Sequence, residues 1–243
     1  MLFRAIFLAI FIGLAGCAMT VQSFPDEFLY VPVHAGDFDI VTYQKISDPR
    51  APVRIYIEGD GHAFDGTGTP TNNPTPHGDT VRRMAMQDRA PNVIYMARPC
   101  QYIMSDKCTL SDWTSGRFSP RVISAMRDAV RSVAGMREII LIGYSGGALL
   151  SGLIITQNPD MNVSQWITVA GVLNHGDWTR YFGDTPLSDS MDMDELPHVS
   201  QLHYVASNDI IVPQHLSKQW TRGKMIIVPN TQHDNLGDFV PAI

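Results

Sequence analysis

Residues 138–147 read Glu-Ile-Ile-Leu-Ile-Gly-Tyr-Ser-Gly-Gly, and no other stretch restricts the fold as strongly. The unbroken apolar run 139–142 suits a strand buried on both faces and is too short for a helix of its own. Gly143-Tyr144-Ser145-Gly146-Gly147 then fits G-x-S-x-G, and an apolar stretch, 148–155, follows at once. This order predicts a strand, a sharp turn and a helix. Ser145 is held in a strained backbone conformation, with tiny neighbours at Gly143, Gly146 and Gly147 so that other segments can approach. The chemical consequence is a hydroxyl lifted clear of a sheet, beside helix N–H groups able to hold developing negative charge.

The remainder alternates strand and helix signals. Runs 28–33 and 38–44 predict an antiparallel edge hairpin turning through His34-Ala35-Gly36-Asp37. Strands are predicted at 53–57, 93–97, 165–170, 202–206 and 224–228. A helix is predicted over 77–88 with Val81, Met84 and Ala85 on one face. Another opens with Ser119 as N-cap and Pro120 at the first helical position. It repeats Val122, Met126, Ala129, Val130 and Val133 at helical spacing and stops at Gly135. Such alternation implies a mostly parallel sheet whose ligand site lies beyond the carboxyl ends of the strands. A length of 243 residues with 44% hydrophobic content suits one such domain, placed at 28–243.

Ser145, Asp209 and His233 follow successive predicted strands in that order, and together with the glycine turn they resemble the α/β-hydrolases. The resemblance implies a twisted, mostly parallel sheet flanked by helices on both faces. It also implies a triad in which His233 takes the Ser145 proton and Asp209 orients the imidazole. The turn Glu58-Gly59-Asp60-Gly61-His62 matches the family's His-Gly loop after the third strand, with Glu58 where His is usual. On that match the backbone N–H of Asp60 or Gly61, with that of Gly146, forms the oxyanion hole, and Gly59 and Tyr144 lie against substrate. Asp177 and Asp234 are the competing acids, while His203 in a strand and His215 at a helix start read as structural.

Segment 171–198 is short and polar, so a lid is small or absent. Its Trp178, Tyr181 and Phe182 either line an apolar pocket or simply pack. Asp60, His62 and Asp65 could form a metal site, but their spacing fits no compact metal loop and these residue types favour turns. No cofactor or metal is expected. The implied activity is cleavage of an ester or related acyl bond through an acyl-enzyme. The alternatives are a peptidase or acyltransferase acting on envelope material, or a non-catalytic envelope lipoprotein using the same fold.

The amino terminus differs in kind. Arg4 precedes an apolar run from Ala5 to Leu14, too short to span a bilayer comfortably, so residues 1–16 read as a signal peptide. Leu14-Ala15-Gly16-Cys17 resembles the lipobox of bacterial lipoproteins, which implies lipidation of Cys17 and a tether over 17–27. Ala18 after the Cys suggests an outer membrane, with the domain facing the periplasm. The formal net charge is −6, and losing Arg4 with the leader makes it more negative, which disfavours nucleic acid as a partner. Of three cysteines, one is then assigned to lipid, and Cys100 and Cys108 remain as an even pair in an oxidising compartment, where a disulfide is expected.

Overall fold

A computed structural model describes residues 23–243; the expected signal peptide, Cys17 and the start of the expected tether lie outside the described residues. Strands β1 (Leu29–Tyr30), β2 (Val33–Ala35), β3 (Phe38–Ile40), β4 (Thr42–Ile46) and β5 (Val53–Ile57) come first. Helix α1 (Thr80–Gln87), β6 (Asn92–Met96), α2 (Pro120–Ala134), β7 (Ile139–Tyr144) and α3 (Gly146–Gln157) follow. The chain closes with β8 (Val163–Val169), α4 (His175–Phe182), β9 (Ser200–Ala206), α5 (Gln214–Lys218) and β10 (Lys224–Val228). An eight-stranded sheet has the order β1-β4-β6-β5-β7-β8-β9-β10. Pairs β1/β4 and β4/β6 are antiparallel, and every pairing from β6 to β10 is parallel.

The strands of the sheet centre are nearly continuous apolar runs because both faces are covered. On one face α2 and α3 pack with Phe118, Met126, Leu149, Leu153 and Trp166. On the other, α1 packs with Tyr56, Met84, Tyr95, Ile142 and Ile167, and the carboxyl-terminal Leu236 joins them. Helix α3 shows no amphipathic face; its residues 146–155 are all buried, so it is enclosed on every side.

The predicted edge hairpin forms, but it is bent. Leu29 faces Gln44 and Tyr30 faces Tyr43 in β1/β4, and Val33 faces Ile40 in β2/β3, so both pairs keep one antiparallel register; β1/β4 lies at the edge of the main sheet, and β2/β3, turning at Gly36 and Asp37, is a separate two-stranded ribbon. Pro32 offers no N–H to a ladder, and the two halves bury on different cores: Val33, Ala35, Phe38 and Ile40 on the α2 side, Phe28 and Val41 on the α1 side. Between β8 and β9, α4 is followed by irregular chain pinned inward by Leu187 and Met193. Among the described residues no helix is long and apolar enough to cross a membrane.

Candidate active site

Ser145 ends β7 and caps α3 with φ +50° and ψ −123°, the left-handed strain that a strand-to-helix reversal in so few residues demands. The strain is held by neighbouring backbone. Ser145 N–H donates to the Val169 carbonyl at 3.1 Å, and the Ser145 carbonyl accepts from Ala148 and Val172, each at 3.1 Å. A Cβ on Gly147 would run into the carbonyls of Ile57 and Glu58, so glycine there lets the elbow and the loop after β5 touch backbone to backbone.

Loops after β9 and β10 bring the other members of the predicted trio to the serine. His233 Nε2 lies 3.0 Å from Ser145 Oγ, and His233 Nδ1 lies 2.9 Å from Asp209 Oδ2. A carboxylate only accepts, so Nδ1 carries the proton and Nε2 is left free to take one from the serine. Asp209 is itself oriented, because its Oδ1 accepts from the N–H of Ile211 at 2.9 Å and of Val212 at 2.7 Å. His233 and Asp209 are buried, whereas Ser145 is partly open to solvent. Asp177 instead accepts from Trp220 at 2.9 Å and Gln219 at 2.6 Å, and Asp234 accepts from the Tyr144 hydroxyl at 3.1 Å. Neither of these acids is bonded to the imidazole. His203 is enclosed in β9 against Thr168, and burial lowers its pKa to about 4.

Two residues expected against substrate are engaged within the protein. Tyr144 is buried, and its hydroxyl donates to the His233 carbonyl at 2.9 Å, so it latches the histidine loop. Gly59 donates its N–H to Glu58 Oε2 at 3.1 Å and accepts from Gln101 Nε2 at 2.9 Å, which leaves it no free polar group. The backbone N–H groups of Asp60, Gly61 and Gly146 have no acceptor among the described residues. They remain the donors that can face an oxyanion.

The sequence offered the Asp60 side chain only as a candidate metal ligand. It turns back against Gly146, where any Cβ would collide with it, and pairs with Arg98 and with Arg117 Nε, the latter at 3.1 Å. Burial alone would raise its pKa, but the charges of Arg117 and Arg98 outweigh that and hold the carboxyl below its usual range. The alternative metal trio is dispersed in purpose. His62 stacks on His77 at 3.9 Å, and Asp65 caps the N–H groups of Thr67 and Thr69.

Arg98, Gln101 and Arg117 were also missed, although Arg98 and Gln101 directly follow β6 at the carboxyl end of the sheet, where site residues collect. Gln101 Oε1 accepts from Arg98 N–H at 2.9 Å, and the adjoining turn is closed by the Cys100–Cys108 disulfide, as the cysteine count predicts. Beneath the turn, burial pushes the Glu58 carboxyl up to about 7, opposed in part by hydrogen bonds from Tyr95 at 3.1 Å and Gly59.

No protein-family model matches the sequence, nor does any curated protein. Solved structures do match in shape. An α/β serine hydrolase without a lid from Xanthomonas campestris superposes with a TM-score of 0.53 at 16% identity, over 88% of this chain and 89% of that one. Est1E from Butyrivibrio proteoclasticus gives 0.57 at 14% identity over 85% and 90%. The thioesterase domain of the curacin biosynthetic pathway gives 0.56 at 13% identity over 85% and 94%. At such identities the likeness is one of architecture, and it establishes that this chain has the α/β-hydrolase fold.

Proposed function

We propose that the protein is a serine hydrolase that cleaves an ester or related acyl bond through an acyl-enzyme. The observation that carries this reading is the unbroken line from Asp209 through His233 to Ser145, with bonds of 2.9 and 3.0 Å ending at a strained, solvent-reaching serine. In the first half-reaction Ser145 Oγ attacks the carbonyl carbon as its proton passes to His233 Nε2. Asp209 stabilises the imidazolium, and the N–H groups of Gly146 and of Asp60 or Gly61 receive the oxyanion. The imidazolium then protonates the leaving group. In the second half-reaction His233 takes a proton from water, which attacks the acyl carbon and releases Ser145. The names of the architectural neighbours, which include esterases and a thioesterase, support the same class.

A panel of short-chain esters tests this reading. Wild type is expected to turn over at least one of them and Ser145→Ala none, with an unchanged circular-dichroism spectrum. Equal turnover by the two proteins would refute it. We further propose that a lipid on Cys17 holds the enzyme to a membrane facing the periplasm, on the strength of the 14–17 motif. Cys17→Ser should release the protein from the membrane fraction, and full retention of that variant would contradict the anchor.

A further inference from the structure

Bracing the oxyanion turn through Asp60 does not use up the guanidinium of Arg117. Its side chain is 6% exposed, and its one charged neighbour is Asp60, whose Oδ2 lies 3.1 Å from Nε. That carboxylate is already shared with Arg98. The backbone carbonyl of Arg117 accepts from Arg98 Nη2 at 2.6 Å, and its guanidinium makes no hydrogen bond among the described residues, its Nε contact with Asp60 being an ion pair only. Two guanidinium groups facing one carboxylate leave a positive charge in surroundings with little water. A buried charge short of its counter-ion is costly, and a complementary anion offsets that cost. Nearby groups do not supply the anion to Arg117. Glu58 faces Arg98 rather than Arg117, and burial raises its pKa to about 7, so near neutral pH it carries only part of a charge. Asp192 is engaged by the N–H groups of His175 and Gly176 at 2.6 and 3.0 Å, and Asp112 is paired with Arg121 at 2.9 Å.

The surroundings determine where such an anion can enter. With Arg98, Asp112 and Trp113, Arg117 lines a cavity of about 10 Å³, room for one water and nothing larger. Its guanidinium carbon lies 5.8 Å from the ring centre of Phe64 and 5.9 Å from that of Trp178. Phe64 is exposed on the loop leaving the oxyanion turn. Trp178 is half-buried and donates its indole N–H to the Ile211 carbonyl at 2.7 Å, two residues beyond Asp209. Phe64 therefore stands on the loop from the oxyanion turn, Trp178 of α4 is tied to the loop that carries Asp209, and Asp60 joins Arg117 to the elbow at Gly146.

We propose that Arg117 is a specificity-determining residue that binds a carboxylate carried by the substrate, so that preferred substrates are esters with a second, anionic group a few atoms from the scissile carbonyl. This rests on the hydrolase reading of Ser145. A guanidinium presents a planar fork of donors to a carboxylate, and the flanking rings supply an apolar wall for the carbons between the two ends. The whole chain is acidic and repels anions at long range, so the preference arises locally and resists added salt.

Two matched pairs of esters test the proposal on the full-length protein. Monomethyl glutarate against methyl pentanoate puts the charge on the acyl side; acetoxyacetate against propyl acetate puts it on the alcohol side. In one arm kcat/KM is expected to favour the anion by at least about tenfold, the discrimination that one hydrogen bond to a charged group supplies. Arg117→Gln should lower that ratio by about as much, mostly through KM, and Arg117→Lys should restore part of it. Ratios at or below one in both arms, with neutral esters still hydrolysed, overturn the carboxylate site and leave the hydrolase reading intact. An unaltered ratio in folded Arg117→Gln overturns the role of Arg117. Should that variant not fold, competitive inhibition of neutral-ester turnover in wild type by free glutarate decides: inhibition supports the site and its absence overturns it. No turnover of any ester, by contrast, removes the hydrolase reading itself.

Discussion

The two sides of Ser145 are built by opposite means. Towards β5 and β6, the oxyanion turn is braced by the buried Arg98, Arg117 and Asp60 group, by Gln101 on the Gly59 carbonyl, and by a disulfide beneath. Towards β9 and β10, the acid and the base stand on loops held chiefly by neutral backbone bonds, such as Asn208 N–H to the Thr231 carbonyl at 2.9 Å. That side is open: Ile210, next to Asp209, is 78% exposed, and β10 is a partly exposed edge strand. The difference follows from what each side must do. Oxyanion donors act best when they are fixed before charge develops, since any reorganisation adds to the barrier. An imidazole that takes and returns a proton needs one oriented partner and little else.

Mutations should separate the two sides, those on the relay side acting on rate and those on the braced side on stability. The largest effect is expected at the relay. His233→Ala should lower kcat by about 10⁴ to 10⁶ and Asp209→Asn by about 10² to 10⁴, with Asp209→Asn keeping a near-wild-type melting temperature. Asp177→Asn and Asp234→Asn should stay within a few-fold of wild type, and either one matching Asp209→Asn would move the acid.

On the braced side, Asp60→Asn removes the carboxylate that Arg98 and Arg117 share and leaves two largely buried guanidinium groups facing each other. Urea denaturation should show a loss of about 3–5 kcal/mol, and a loss below about 1 kcal/mol would mean that the carboxylate braces nothing.

Glu58 offers a pH test of the same side. Its pKa rises from an ordinary 4.5 to about 7 on folding, because burial disfavours the charged form. Its contribution is therefore full below about pH 4.5 and is lost as pH rises through about 7, a change of about 3 kcal/mol. His203 has the opposite sign, since its pKa is lowered to about 4 and stability is gained as pH climbs from there. Subtracting wild type from Glu58→Gln isolates the carboxyl. The difference should grow in favour of the variant across that window, and a flat difference would show that Glu58 does not titrate there. The smallest effect is expected from replacing both Cys100 and Cys108 by Ser, about 2.5 kcal/mol for so short a loop, again without a matching change at the relay.

This division also explains what could be read from the chain. The relay was legible because each member sits alone after its own strand and the order Ser145, Asp209, His233 is short to describe. The parallel core was legible from unbroken apolar runs such as 139–142. The bracing was not, because Asp60, Arg98 and Arg117 are far apart in sequence and each resembles a surface charge until the fold buries it. The bond made by Tyr144 was hidden for a related reason. Its place beside the nucleophile suggests contact with substrate, yet its hydroxyl reaches the histidine loop, which is remote in sequence. The edge hairpin was legible from its β-rich runs and glycine turn, but its division between two cores at Pro32 was not.

The claim at the centre of this account is that Ser145 is a nucleophile activated by His233. Wild-type protein treated with a neutral fluorophosphonate should gain one adduct, which peptide mapping should place on Ser145, while His233→Ala should label at a rate lower by at least about 10³. An adduct on any other residue, or equally fast labelling of folded His233→Ala, would contradict it.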